Sequence, residues 1–253
     1  MLCAMAMAGL ALSGAAAGGT VSAQFTGGSP WAPVTVTYTD VNNNRHSEST
    51  YAGLYWFQRT DTPGIGVDVL VGNTFSAFCM DAQESITWGP TYKWDIVQNV
   101  VGMAPSPTPP GGTITQAQLT TLGKLYSGYY NGGDFSSNVA AAGFGAAVWE
   151  IVWEHSLGTD VYNLTSGLFS INAGDVATQA QYYLDNLPAT DAYAGNLVGL
   201  VSHGAQDQIV VVLTGGDNHA PEPLTVLGVL GSVAAIAAYI RRRRGQASGS
   251  TPA

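Results

Sequence analysis

The chain has 253 residues, is 46% hydrophobic but only 10% charged, and carries seventeen acidic against eight basic side chains, a net charge of −9. Four of those eight basic residues stand together at Arg241–Arg244 and all the acids lie before them, so the rest of the chain is strongly acidic. A surface of that sign repels nucleic acid and anionic lipid heads, which excludes a nucleic-acid partner.

The first segment, residues 1–23, reads as a signal peptide. It is apolar and rich in small residues, and Val21-Ser22-Ala23 before Gln24 has the small-x-small form of a cleavage site. Its basic n-region is missing, since the first basic residue is Arg45. Cys3 falls within the leader and Cys79 is the only other cysteine. A mature chain starting at Gln24 therefore forms no intramolecular disulfide, although an exported protein could carry one.

Residues 24–216 read as one ectodomain whose first half is made of strands. Val34–Thr39 alternates apolar residues with threonine, and Asp40–Asn44 is a turn cluster. Asp40, Asn42 and Asn44 imitate the start of a calcium loop, but Arg45 stands where its glycine belongs, so a turn is expected and no metal. Ser49–Gln58 pairs back as a hairpin. Val67–Val71 and Thr74–Met80 follow around Gly72-Asn73, then Tyr92–Val97, then a proline-rich loop over 104–112. Helices come next. Thr113–Gln116 suggests a capping box for a helix whose apolar face includes Leu119, Leu122, Tyr126, Tyr129 and Tyr130. A Gly132-Gly133 break separates it from a second helix over Val139–Glu154, whose Glu150 and Glu154 read as a solvated face. A third helix, capped by Asn172 and Asp175, stops at Pro188. Gln208–Leu213 is the last strand. Strands around a helical block argue for an α+β domain.

The C-terminus has three parts. Residues 217–223 are a linker ending in Pro221-Glu222-Pro223, Leu224–Ile240 is uncharged and apolar, and 241–253 is a tail opening with Arg241, Arg242, Arg243 and Arg244. As a helix, residues 224–240 span roughly 25 Å, the short limit for a bilayer crossing. The arginines would hold their end in the cytoplasm, leaving the ectodomain outside. This order of parts resembles the PEP-CTERM sorting signal of Gram-negative bacteria. The resemblance implies an exosortase-type sorting enzyme as partner, a membrane intermediate held by residues 224–240, and delivery to the cell surface or extracellular matrix.

Two cysteine readings remain. Cys79 with His155 would be the nucleophile and base of a secreted hydrolase, although no nucleophile elbow accompanies them. The second comes from the succession Phe78-Cys79-Met80-Asp81, Tyr129-Tyr130, and Phe144-Gly145-Ala146-Ala147-Val148-Trp149-Glu150-Ile151. This succession resembles the thioester-domain-like ectodomains of PEP-CTERM proteins, which are similar to the thioester domains of Gram-positive adhesins. The resemblance implies a strand-rich, sandwich or barrel-like thioester-type domain with an inserted helical block. It also implies a Cys–Gln thioester, but the glutamine position holds Gly145, which has no acyl carbon.

The expectation is therefore a non-enzymatic surface or matrix protein with no cofactor, acting by non-covalent structural or adhesive contact with extracellular polysaccharide or surface proteins. Trp31, Trp56, Trp88 and Trp153 are candidates for stacking on sugars. A covalent adhesin using Cys79 with another glutamine, and the Cys79/His155 hydrolase, are the alternatives.

Overall fold

A computed structural model of the protein describes residues 17–62, 72–154, 162–172, 174–202 and 204–212. They belong to one compact unit that ends at Val212. The strands are β1 (Ala17–Thr39), β2 (Arg45–Arg59), β3 (Thr74–Cys79), β4 (Thr91–Val97), β5 (Phe169–Asn172), β6 (Leu197–Ser202) and β7 (Gln208–Val211). The helices are α1 (Gln116–Tyr129), α2 (Asn138–Trp153) and α3 (Gly174–Asp185).

All seven strands form one sheet in the order β2-β3-β7-β6-β4-β1-β5, every pairing antiparallel, and β1 also pairs with β2. The path β2–β3–β7–β6–β4–β1 thus returns to its first strand. The 23-residue β1 makes this closure possible. Its start pairs with β4 through Ala17–Gln24 and its end with β5 through Thr35–Tyr38. Register shifts between Phe25 and Gly27 and between Gly28 and Trp31 bend it in the middle. On the enclosed face Phe57 stacks on Phe75, meets Trp94 edge-on and touches Phe25.

The other side of β1–β3 is covered by α2. Its residues are buried from Ala140 to Trp153 and all but Glu150 are apolar or glycine, as expected for a helix enclosed by protein. Small residues let it approach closely. A Cβ on Gly145 would lie 3.0 Å from the Gly53 nitrogen in β2, and one on Gly143 would lie 2.8 Å from Gln179 of α3. Ser137 caps α2, its hydroxyl accepting from the Ala140 N–H. The capping box of α1 is formed by Thr115 and Gln118, two residues beyond the expected pair.

The expected fold is overturned. A single continuous antiparallel sheet with three helices replaces the α+β thioester-type domain, and the helices are no inserted block, because β5 stands between α2 and α3 and pairs with β1. No helix among the described residues is long and apolar enough to cross a membrane. The longest apolar helix, α2, has sixteen residues and is enclosed by protein. Residues 224–240, expected to span, lie outside the described residues, as do Pro221–Pro223, Arg241–Arg244, His155 and the expected strand Val67–Val71. The expected cleavage point after Ala23 falls inside β1, where Val21 and Ala23 are fully buried.

Candidate functional site

Three places in the described residues bring chemistry together: the buried end of β3, an aromatic ledge at the bend of β1, and a groove beside α3.

At the end of β3, Cys79 pairs in register with Gln208 of β7, and both side chains are buried. The Cys79 thiol donates to the Asp81 carbonyl at 3.1 Å. Trp149 lies beside the sulfur, but its indole N–H makes no ordinary hydrogen bond. Burial, with Asp81 and Asp207 nearby, pushes the thiol well above its usual range. Asp81 accepts the Ser106 N–H at 2.6 Å and the Asp207 N–H, and Asp207 accepts the Ser202 N–H at 2.7 Å. Burial and then the Asp207 charge push Asp81 up to about 8. Gln206 donates to the Glu84 carbonyl and accepts the Trp94 indole through its own carbonyl. The side-chain oxygens of Gln206 and Gln208 are left without partners.

This geometry bears on both cysteine readings. A nucleophilic cysteine must be reachable and form its thiolate readily; this one is 2% exposed and held protonated. Gly145 faces the Gly53 backbone and the Phe78 ring, the residue before Cys79. A glutamine there would begin with a Cβ too close to β2, so Gly145 marks helix–sheet contact. The glutamine directly across from Cys79 is Gln208.

The ledge lies where β1 bends. Trp31 stacks on Tyr51 at 4.6 Å, and Trp88 packs its ring against Phe25 at 5.2 Å. Trp88 is 64% exposed and Tyr51 47%, whereas Trp56 is partly covered and donates its indole N–H to the Ser29 carbonyl. Trp153, expected among the sugar-stacking rings, is fully buried against Tyr38.

The groove, about 850 Å³, lies between α3 and residues 162–165, next to β5. Its wall is pinned from behind by the acids that the sequence suggested were solvated. Glu150 and Glu154 are buried; Glu150 accepts the Asn163 N–H at 2.6 Å and Glu154 the Phe169 N–H at 2.9 Å. Burial raises both, Glu150 to about 8. Gly167 is required here: its φ is +107°, and a Cβ would strike the Glu154 carboxylate at 2.1 Å. No sequence motif announces this groove, because its tyrosines, asparagines and glutamine are spread over 162–186.

Asp40 closes the β1–β2 turn, accepting the Asn42 and Asn44 N–H groups and touching His46, which holds its carboxyl down at about 2. No cluster of metal-ligating side chains occurs among the described residues. Compared with protein-family models, with curated proteins and with solved structures, the chain matches none.

Proposed function

We propose that this is an exported protein, sorted by an exosortase-type enzyme to the cell surface or extracellular matrix, where it works by non-covalent structural or adhesive contact and not by catalysis. The observation that carries the reading is the ledge. Large aromatic rings left in water lose the free energy that burial would give them, and rings braced there by their neighbours form a preorganised contact surface. The sorting half is supported by sequence alone, through Pro221-Glu222-Pro223 and Arg241–Arg244. The experiment is retention on matrix from the producing cells. Full-length protein carrying Trp88→Ala with Tyr51→Ala should wash off where the parent is retained. Equal retention of folded variant and parent would end the adhesive reading.

One observation favours a second reading. Cys79 and Gln208 stand opposite each other, and directly opposed residues place their Cβ atoms about 5 Å apart. Sulfur attack on the Gln208 amide carbon would form a thioester and expel ammonia, the thiol proton leaving with it. A target amine could take the acyl group and return the thiol only if this buried end opens to admit it. This chemistry does not need the thioester-type fold. It requires a native mass short by one ammonia, a deficit that disappears in Cys79→Ala; a full native mass rejects it.

A further inference from the structure

We propose that the groove beside α3 binds an uncharged oligosaccharide. Its volume, about 850 Å³, falls within the usual range for small-ligand sites, about 300–1,000 Å³. A sugar ring offers an apolar face and a belt of hydroxyl groups that both donate and accept. A matching site therefore needs aromatic faces beside side chains that do the same. Tyr162 and Tyr182 line the groove, and Tyr182 is 55% exposed. Tyrosine supplies a flat apolar face and a hydroxyl at its rim. Asn163, Asn172 and Asn186 add carboxamides, each with donor and acceptor side by side. Asn172 makes no side-chain hydrogen bond among the described residues and is exposed, and the Asn163 amide nitrogen is likewise unused.

Charge narrows the ligand class. Asp185 is the only carboxylate among the described lining residues, and no lysine, arginine or histidine is there. A polyanion would meet Asp185 within an acidic chain, with no cation among the described lining residues to pair with. A single carboxylate that already accepts from Gln181 at 2.8 Å is a poor anchor for a basic peptide, but its free lone pairs can accept from neighbouring sugar hydroxyls.

The wall is built before any ligand arrives. Gln181 donates to the Tyr162 carbonyl at 2.9 Å and accepts the Leu164 N–H at 3.3 Å, so it ties α3 to the opposite wall. Buried Glu150 holds Asn163 from the other side. A groove fixed in this way loses little conformational freedom on binding, which favours ligands that make individually weak contacts.

The test is calorimetric titration of the full chain with three neutral tetrasaccharides: β-1,4-linked glucose, β-1,4-linked N-acetylglucosamine and α-1,4-linked glucose. At least one should bind saturably, with a dissociation constant on the order of millimolar or tighter. Raising salt should leave binding unchanged. Tyr182→Ala and Asn172→Ala should each weaken it, Tyr182→Ala by about tenfold, while Val41→Ser, an exposed site elsewhere, should not. Should Tyr182→Ala unfold, Tyr182→Leu keeps the bulk and removes the aromatic face. Three results would overturn the proposal: no saturable binding of any of the three sugars, binding that survives both groove substitutions, or preference for a charged tetrapeptide with affinity that collapses in salt.

Discussion

Asp81 with Asp207 and Glu150 with Glu154 are two pairs of buried acids doing the same physical task in different surroundings. Each carboxylate accepts at least one backbone N–H from a loop or from the end of a strand. Asp81 binds the proline-rich loop and the β6–β7 turn to the end of β3, closing the region around Cys79. Glu150 and Glu154 bind residues 163–169 from beneath and leave an open groove on the far side of that wall. Buried acids in this fold are therefore loop clamps. Cys79 and these acids are closed to a partner, whereas the ledge and the groove are lined mostly by neutral side chains.

The largest effect expected concerns the start of β1. A chain beginning at Gln24 would lose most of the β1–β4 ladder, the burial of Val21 and Ala23, and the Ser22 N–H bond to Asp61 at 2.7 Å. Protein produced from Gln24 should be unfolded by circular dichroism, and protein produced from Ala17 should melt cooperatively. If the two melt alike, the start of β1 contributes nothing and the sheet does not depend on it. If the leader is removed in cells, the folded product should accordingly begin upstream of Val21.

Next comes Asp81→Ala, which leaves two N–H donors without their acceptor in the interior. Each buried orphan costs about 1–3 kcal/mol, so the loss should be about 3 kcal/mol by denaturant unfolding. Glu150→Gln is the contrasting substitution. Its amide oxygen can still accept from Asn163, and only one carboxylate oxygen was in use. Stability near neutral pH should change little. Comparable losses from both substitutions would mean that the two clamps do not differ in this way.

A graded effect, shared by both regions, is the response to pH. Folding raises Asp81 from 3.8 to about 8 and Glu150 from 4.5 to about 8. Between the unfolded and folded values the native state holds protons that the unfolded chain has released. Stability therefore falls as pH rises through that window and levels off above about 8. Asp40, held down at about 2, acts only below it. The melting temperature should be higher at pH 5.5 than at pH 8, and Glu150→Gln should flatten the slope. A Glu150→Gln slope as steep as the parent's would remove that residue from the account.

Legibility in the sequence followed local pattern. β2, β3, β4, β7 and all three helices were readable because alternation, caps and glycine breaks are local signals. Three strand segments were not. The start of β1 looks like a leader, since Gly, Ala and Ser serve equally in a signal peptide and in a tightly packed strand. β6 reads Leu-Val-Gly-Leu-Val-Ser without alternation, as a strand covered on both faces should. β5 is four residues long, and its pairing with β1 is set by tertiary contact. Glu150 and Glu154 were misread for a related reason: helical spacing places two acids on one face without telling which loop covers it. At the candidate sites, Cys79 was legible as a lone thiol, but Gln208 is its neighbour only through strand pairing across 129 positions.

The smallest expected effect is also the sharpest on Cys79. Burial disfavours the thiolate, and the thiolate is the species that reacts with alkylating agents. Protein starting at Ala17, which lacks Cys3, should therefore stay unmodified over hours when held native with excess iodoacetamide at pH 8, and in denaturant it should take up one equivalent. Protection alone does not distinguish a buried thiol from a thioester, so mass must be read in the same experiment. A full native mass with one alkylation after unfolding identifies a free, enclosed thiol and leaves the Asp81 clamp as the role of this end of β3. A mass short by one ammonia, with no alkylation even in denaturant, identifies the Gln208 thioester and makes the closed region the reactive one. Rapid alkylation of the native state would contradict both, and would show that the end of β3 opens to solvent despite the hydrogen bonds that Asp81 and Asp207 make across it.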